Sequence, residues 1–468
     1  MIRIFNQLVS AKSFVLIQTE ALLILFCFFT AAKLWFWNDP AGFAVHAPWP
    51  QFMFQCLVQM VLVQVCFYCN DLYDAHSSGS LIQQLFKLTR AIGTLCIISA
   101  ALYFLAPLLM IGRGVLILAL SLTLVGAFLT RLALDKAWRV TAPARNLLVL
   151  GTGSLATAVA LEIGRRNDLN LNISAFAAKD PPNCGLSEGF FGRPVVPLTN
   201  LEEGVPRLGI SQIVVALEDR RGALPVADLV RLRLRGVRII DAHELLTALS
   251  GRVRLDVVSP SGLIFGNGFR RSKVTLIWKR ALDLLLGLVG TVVTGPVMAL
   301  AALAVWLDSG PPILYKQTRV GWKGKEFRLL KLRSMRVDAE PNGEAQWARL
   351  KDPRITRVGA FLRAYRLDEL PQFINVVRGD MSFVGPRPER PRFVEQLQTE
   401  IPYYDERHMV RPGLTGWAQV QYPYGATVSD AARKLEYDLF YLKNMSFTFD
   451  CAIALKTVRI VFLKRGSR

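Results

Sequence analysis

The first 135 residues carry four apolar runs, Phe14–Trp37, Phe52–Cys69, Ala91–Ile111 and Val115–Leu134. A membrane-crossing helix needs about 20 largely apolar residues. The pattern therefore predicts four transmembrane helices within residues 1–140. The first run contains Glu20 and Lys33, the third is the cleanest, and Arg131 at the end of the fourth is placed to snorkel. Arg3 and Lys12 precede the first run, and the loop Asn38–Gln51 has no Lys or Arg. Lys87 and Arg90 follow the second run, and Lys136, Arg139 and Arg145 follow the fourth. The bias of basic residues toward the cytoplasmic side puts both ends of this segment inside the cell. Asp71 and Asp74, in the inner loop, read as a solvated turn.

From Arg145 the texture changes to alternating strands and helices, predicting a Rossmann-like α/β domain over residues 141–250. Strand candidates are Leu147–Leu150, Ile173–Ala177, Gln212–Leu217 and Val237–Ile240. The turn Gly151-Thr-Gly153-Ser-Leu-Ala156 is of the kind that seats a nucleotide phosphate on a helix N-terminus. The acid expected after the second strand is missing at the usual spacing, and Asp180 comes later, before two prolines. Dinucleotide binding and a purely structural or regulatory domain both remain open here. Residues 251–275 read as a linker, marked by Ser259-Pro-Ser-Gly, Gly266-Asn-Gly and the basic run Arg270-Arg-Ser-Lys273.

Ala281–Leu307 is a fifth apolar run, 27 residues long, whose one charge is Asp283 and whose middle holds Pro296. Lys279 and Arg280 flank one end, and Lys316, Arg319, Lys323 and Lys325 follow the other, so both ends look cytoplasmic. A proline break at mid-length permits a helix, about 280–308, that enters one leaflet and returns. Leu314–Arg336 alternates apolar and basic residues around Gly321 and Gly324, the pattern of a hairpin; Lys331, Arg333 and Arg336 are available there for headgroups or a diphosphate. The tail Phe449–Arg465 reads as an amphipathic helix on a membrane surface.

The densest chemistry lies between Asp352 and Arg390. Arg354, Arg357, Arg363, Arg366, Arg378, Arg387 and Arg390 surround the adjacent acids Asp368 and Glu369. Guanidinium groups hold phosphate bidentately, so the cluster suits a polyanion presented to an ionised acid. The spacing of Val358, Phe361, Leu362 and Tyr365 predicts one helix. Pro371, tolerated in a first turn, predicts a second helix from Asp368 to Gly379 with Asp368 as its N-cap.

Leu367-Asp-Glu-Leu-Pro-Gln372 and Gly379-Asp-Met-Ser-Phe-Val-Gly-Pro-Arg-Pro388 resemble the catalytic core of bacterial polyprenyl-phosphate sugar-1-phosphate transferases, the monotopic phosphoglycosyl transferases. The resemblance covers about residues 273–468. Gln421-Tyr-Pro-Tyr-Gly-Ala-Thr427 resembles the exopolysaccharide subgroup linked to exosortase systems. It implies a C-terminal monotopic α/β domain over 276–468 with a re-entrant membrane helix broken at Pro296. It also implies transfer of a sugar 1-phosphate from a UDP-sugar to undecaprenyl phosphate, with release of UMP. In the implied roles Asp368 is the nucleophile and Glu369 the partner acid that holds Mg²⁺. Arg363 and Arg387, framed by Pro386 and Pro388, contact phosphate or nucleotide, with Asp438 as a further candidate; Lys331 and Arg333 are candidates from the hairpin pattern alone. The implied setting is the bacterial inner membrane, with the catalytic domain on its cytoplasmic face, and a homodimer is allowed.

Composition sharpens this picture. The chain is 52% hydrophobic, which fits the membrane runs, and its formal net charge is +20. Such a charge suits nucleic acid, anionic lipid or phosphorylated substrates; no nucleic-acid motif is present, so lipid and phosphate take precedence. Seven cysteines, Cys184 and Cys451 among them, show no disulfide or zinc spacing. His408 reads as structural. Two other classes remain: an NAD-dependent Rossmann enzyme acting on nucleotide sugars, and a non-catalytic scaffold for polysaccharide assembly.

Overall fold

The computed structural model describes residues 2–4, 7–9, 11–39, 49–73, 81–141, 145–166, 169–179, 190–198, 201–218, 224–256, 273–337, 339, 354–422, 425 and 427–462. Asp74, Asp180, Cys184, linker residues 257–272 and the end of the tail from 463 lie outside the described residues. The chain divides into two compact units, Met1–Leu245 and Leu246–Arg468.

The first unit begins with helices α1 (Ala11–Trp35), α2 (Trp49–Cys69), α3 (Leu81–Leu105) and α4 (Arg113–Thr141). All are long and apolar enough to cross a membrane. They share a core that includes Ile24, Phe28, Phe52, Val63, Phe67, Leu88, Leu95 and Val115. Phe26, Phe104 and Ile117 stay exposed on the outside, as a lipid-facing surface requires. Arg131 does not snorkel. It is buried, its guanidinium 2.8 Å from the Glu20 carboxylate and donating to the Leu72 carbonyl at 2.7 Å. A charge inside an apolar bundle is tolerated when it is paired in this way.

The α/β part of this unit is a parallel sheet of β1 (Arg145–Leu150), β2 (Leu171–Ala178), β3 (Val195–Pro197), β4 (Gln212–Val215) and β5 (Arg238–Asp241), ordered β3-β2-β1-β4-β5. Helices α5 (Ser154–Arg165), α6 (Leu201–Arg207) and α7 (Val226–Leu234) join the strands. The glycine turn after β1 is shaped by the fold itself. Gly151 has φ +117°, and a Cβ there would stand 2.6 Å from the Ala216 carbonyl oxygen. A Cβ on Gly153 would stand 2.7 Å from Glu218 Oε1. That carboxylate oxygen accepts from the Ser154 amide at 2.8 Å and from the Ser154 hydroxyl at 2.7 Å. The position a pyrophosphate takes on α5 is therefore filled by the chain's own anion. The second strand ends in Ala178, followed by Lys179.

The second unit opens with α8 (Lys273–Ser309), 37 residues long, with Pro296 inside it. Proline removes one backbone hydrogen bond and weakens the ladder at that turn; the helical run continues to Ser309. Val292, Val293 and Leu300 in its middle are exposed. Both ends pack on the α/β part of the same unit. Near the start, Arg280 donates to the Val376 and Val377 carbonyls at 2.8 and 2.9 Å. Near the end, Ala301 and Val305 join Leu332 and Leu362 in one core.

The hairpin expected around Gly321 and Gly324 is present as β6 (Leu314–Val320) antiparallel to β7 (Glu326–Leu332). The first expected helix is α9 (Arg357–Ala364), capped by the Thr356 side chain, which accepts from the Gly359 amide. The second differs from expectation. Leu367–Glu369 forms a separate 3₁₀ turn entered through Arg366 at φ 55°, and α10 spans Gln372–Arg378 with Pro371 as its N-cap. Pro371 has no N–H to continue an α ladder back to Leu367. Asp368 is therefore not a cap; it is buried within the 3₁₀ turn. The remaining elements are β8 (Ser382–Val384), α11 (Pro391–Glu400), β9 (Gly413–Thr415), α12 (Val428–Asn444) and α13 (Phe447–Phe462). One face of α13 buries Phe449 and Ile453 in the protein and leaves Leu455 and Val458 exposed.

β8 and β9 run parallel, pairing Ser382 with Gly413 and Val384 with Thr415. A Cβ on Gly413 would come 2.1 Å from the Gly385 amide nitrogen, and one on Gly416 would come 2.1 Å from the Gly385 carbonyl oxygen. Backbone on both sides leaves no flexible atom to give way. Gly413→Ala is expected to cost about 1–3 kcal/mol, as overpacking does, read as a lowered unfolding midpoint of the full chain in detergent. Titration of the full chain with NADH or NADPH is expected to give no saturable fluorescence change; saturable binding would mean that Glu218 yields the turn to a dinucleotide.

Candidate active site

Four segments of the second unit converge on the adjacent acids. The 3₁₀ turn carries Asp368 and Glu369, β7 carries Lys331, α9 carries Arg363, and the turn after β8 carries Arg387. Asn375, fully buried on α10, aligns two of them. Its side-chain oxygen accepts from the Leu330 amide at 3.0 Å, and its nitrogen donates to the Arg328 carbonyl at 2.9 Å. The amide group thus acts as a neighbouring strand for β7 and sets Lys331, the next residue, beside Glu369.

Glu369 Oε1 receives Arg387 Nη2 at 2.8 Å and Lys331 Nζ at 3.3 Å, while Arg366 stands 3.9 Å from Oε2. Burial alone would raise this carboxyl's pKa. Arg387, Lys331 and Arg366 outweigh that and hold it well below the usual carboxylate range. At an effective dielectric near 20, each close ion pair is worth roughly 5 kcal/mol before desolvation is subtracted. Asp368, 7% exposed, moves the other way. Burial raises its pKa first, and the neighbouring Glu369 charge adds to that, against Lys331, Arg363 and Arg387. Burial lowers the pKa of Lys331, offset in part by Glu369. Two acids next to each other in sequence thus sit in different environments: cations hold Glu369 toward its ionised form, while burial beside that charge favours the protonated form of Asp368.

Arg363 Nε donates to the Ser334 hydroxyl at 2.9 Å. That approach exists because α9 lies on the Ser334 backbone, where a Cβ on Gly359 would be 2.0 Å from the Ser334 oxygen. Pro386 and Pro388 fix the turn around Arg387: the Pro386 carbonyl accepts from the Gly413 amide at 2.8 Å, and the Pro388 carbonyl from Arg319 at 3.0 Å. Arg333 faces away from the acids. Its Nη2 donates to the Ser309 carbonyl at 2.6 Å and to that of Gly310, capping the C-terminal end of α8. Pro296 is in the middle of α8, away from the acid pair in sequence and packing. Asp438 stands behind the site rather than in it. It is 1% exposed, with a carboxylate oxygen 2.9 Å from Arg407 Nη2. Arg407 also donates to the Arg387 carbonyl at 3.0 Å and to the Tyr404 hydroxyl at 2.6 Å. Burial raises the Asp438 pKa to about 6 against the pull of Arg407. Arg407 supports the site although nothing in its local sequence, next to His408, marks it. His408 itself lies 3.3 Å from Asp405 and faces no acid of the pair.

Comparison with known proteins agrees with this geometry. Residues 274–464 match the bacterial sugar transferase family. A UDP-N-acetylgalactosamine-undecaprenyl-phosphate N-acetylgalactosaminephosphotransferase of Aeromonas hydrophila is 40% identical over 240 residues, 51% of this chain and 56% of that protein. An undecaprenyl-phosphate glucose phosphotransferase of Komagataeibacter xylinus is 32% identical over 335 residues, 69% of this chain and 60% of that protein. The exopolysaccharide production protein PSS of Rhizobium leguminosarum bv. phaseoli is 42% identical over 197 residues, 41% of this chain and 98% of that protein. The chain thus spans little more than half the length of the Aeromonas relative, while 197 of its residues match nearly all of the Rhizobium one. On these grounds the chain belongs to the bacterial sugar transferase family.

Proposed function

We propose that this protein transfers a sugar 1-phosphate from a UDP-sugar to undecaprenyl phosphate, releasing UMP, at the cytoplasmic face of a bacterial inner membrane. The observation that carries the reading is the pairing of a buried aspartate with a glutamate clamped by Lys331 and Arg387. The names of the Aeromonas and Komagataeibacter relatives supply the substrate classes. The name of the Rhizobium relative supports a first membrane step in exopolysaccharide synthesis.

In this mechanism a carboxylate oxygen of Asp368 attacks the sugar-bearing phosphorus. The phosphoanhydride bond breaks and UMP leaves, with an aspartyl phospho-sugar left on the enzyme. An oxygen of undecaprenyl phosphate then attacks the same phosphorus and frees Asp368. Splitting one encounter into two means that nucleotide and lipid need not be bound together. Phosphoryl transfer depends chiefly on positioning and charge neutralisation, and Arg387, Arg363 and Lys331 serve that end. Glu369, held toward its ionised form by Arg387 and Lys331, would offer Oε2, which Arg366 approaches at 3.9 Å, as a ligand for Mg²⁺. Magnesium ordinarily takes one or two carboxylates plus phosphate oxygens, and when bound it neutralises diphosphate charge.

A membrane arrangement belongs to the same proposal. α1–α4 form a four-helix transmembrane bundle with both ends inside. α8 enters the inner leaflet, turns at Pro296 and returns, since both of its ends hold the same α/β body while its apolar middle is exposed. This keeps the acid pair on the side where nucleotide sugars are made. Leu455 and Val458 of α13 are exposed and would add apolar contact with lipid.

Asp368→Asn is expected to abolish UMP release and the labelled enzyme intermediate. With wild-type enzyme and donor labelled in the sugar-bearing phosphate, the label should map to the peptide containing Asp368; label elsewhere, or turnover by the Asn variant, defeats the reading. Attack requires ionised Asp368, whose pKa is raised, so activity should fall as pH drops through that raised value. Lys331 favours the ionised form. Lys331→Met should therefore move the acid limb of the rate profile to higher pH, and an unmoved limb would remove Lys331 from this role.

A further inference from the structure

Three charges stand at the start of α8, on one contiguous face at i, i+1 and i+4: Lys279, Arg280 and Asp283. As a pattern they look like the flank of a membrane segment. In the fold each holds the backbone of the α/β body. Lys279 Nζ donates to the Val384 carbonyl at 2.9 Å, to the Tyr441 hydroxyl at 2.9 Å and to Asp450 at 2.7 Å. Arg280 uses both prongs of its guanidinium on the Val376 and Val377 carbonyls, at 2.8 and 2.9 Å. Asp283, 2% exposed, accepts through Oδ1 from the Ser382 hydroxyl at 2.9 Å and the Phe383 amide at 2.8 Å. The same face continues through two glycines. A Cβ on Gly287 would stand 3.0 Å from a Val377 methyl, and one on Gly290 would stand 2.5 Å from the Phe373 ring. α10 therefore lies directly on this stretch of α8.

The segments gripped are two that adjoin the acid site. α10 follows Asp368 and Glu369 by three residues, and Arg280 holds its C-terminal carbonyls. β8 runs straight into Gly385-Pro386-Arg387, and Asp283 and Lys279 hold its two ends. The Arg387 guanidinium then meets Glu369 at 2.8 Å.

We propose that Lys279, Arg280 and Asp283 are positioning residues that lock the acid pair and Arg387 into one register on the base of the membrane helix. The proposal rests on the reading of the site given above. Small displacements of a reacting group are costly, about a hundredfold for roughly 1 Å. These residues therefore act on the chemical step through Arg387, without touching substrate.

The test is a double-mutant cycle on the full chain in lipid nanodiscs, reading formation of the labelled intermediate in single turnover. Asp283→Ala should slow this step at least about tenfold and change the donor KM much less. Asp283→Asn keeps an oxygen for both donors and should restore the rate to within about threefold of wild type. In an Arg387→Lys background the Asp283→Ala effect should shrink, because the two act through one contact. Full additivity with Arg387→Lys, or an Asn variant as slow as the Ala variant, overturns the proposal. If Asp283→Ala does not fold, Arg280→Lys, which keeps the charge and loses the two-pronged hold, runs the same cycle with the same criteria. A turning-over Asp368→Asn enzyme would instead defeat the reading of the site, whatever the cycle gives.

Discussion

The second unit is organised around one ionised carboxylate. Glu369, 13% exposed, lies beside a buried acid, and cations close by favour its charge. Arg387 and Lys331 come from different segments to share a single oxygen of Glu369, and Arg366 approaches the other. This compensation divides the pair. Glu369 is driven well below the carboxylate range and Asp368 is driven up. Environments that push two neighbouring acids apart assign them different roles. A phosphate arriving at this place meets a site whose charge balance is already built.

Those cations are aimed by backbone contacts rather than by their own side chains. Asn375 takes the place of a strand along β7 and so orients Lys331. The turn bearing Arg387 is held from three sides: by the glycine contact of Gly385 with Gly413 and Gly416, by Arg319 on the Pro388 carbonyl, and by Arg407 on the Arg387 carbonyl. Arg407 in turn is fixed by Asp438 and Tyr404. Pieces that do not touch the acid pair thus decide where the Arg387 guanidinium points. It is also why Asp438, a candidate substrate contact by sequence, lies one layer behind the site.

What could be read from the chain is what repeats locally. The apolar runs became α1–α4 and α8, the alternation around Gly321 became the β6–β7 hairpin, and the strand–helix rhythm after Arg145 became a parallel sheet. The three-residue edge strand Val195–Pro197 carries too little pattern to be seen. The Asp-Glu pair among arginines was visible as a cluster, but its local shape was not. Helical spacing continued past Pro371 on paper, while the missing N–H splits the segment into a 3₁₀ turn and α10. Contacts between distant residues left no local trace. Nothing near Gly153 announces Glu218, nothing near Arg131 announces Glu20, and nothing near Arg387 announces Arg407. Arg333 belongs to the same class: a basic residue in a basic hairpin gives no sign that its partners are the last carbonyls of α8.

The charges at the start of α8 bear on how membrane topology is argued. Lys279 and Arg280 enter the positive-inside count as though they were free for headgroups, yet both are engaged with carbonyls of the α/β body. Their weight as topology signals is therefore small, and the placement of α8 has to rest on something else. A straight helix of this length would extend about 55 Å at 1.5 Å per residue, well beyond the roughly 30 Å hydrocarbon layer. Were it to cross, its two ends would lie on opposite sides of the membrane. Instead Arg280 and Asp283 at one end, and Val305 and the Arg333-capped terminus at the other, are bound to one folded body. These anchoring contacts, together with the exposed apolar middle around Pro296, are what the proposed bent insertion rests on, independently of any count of charges.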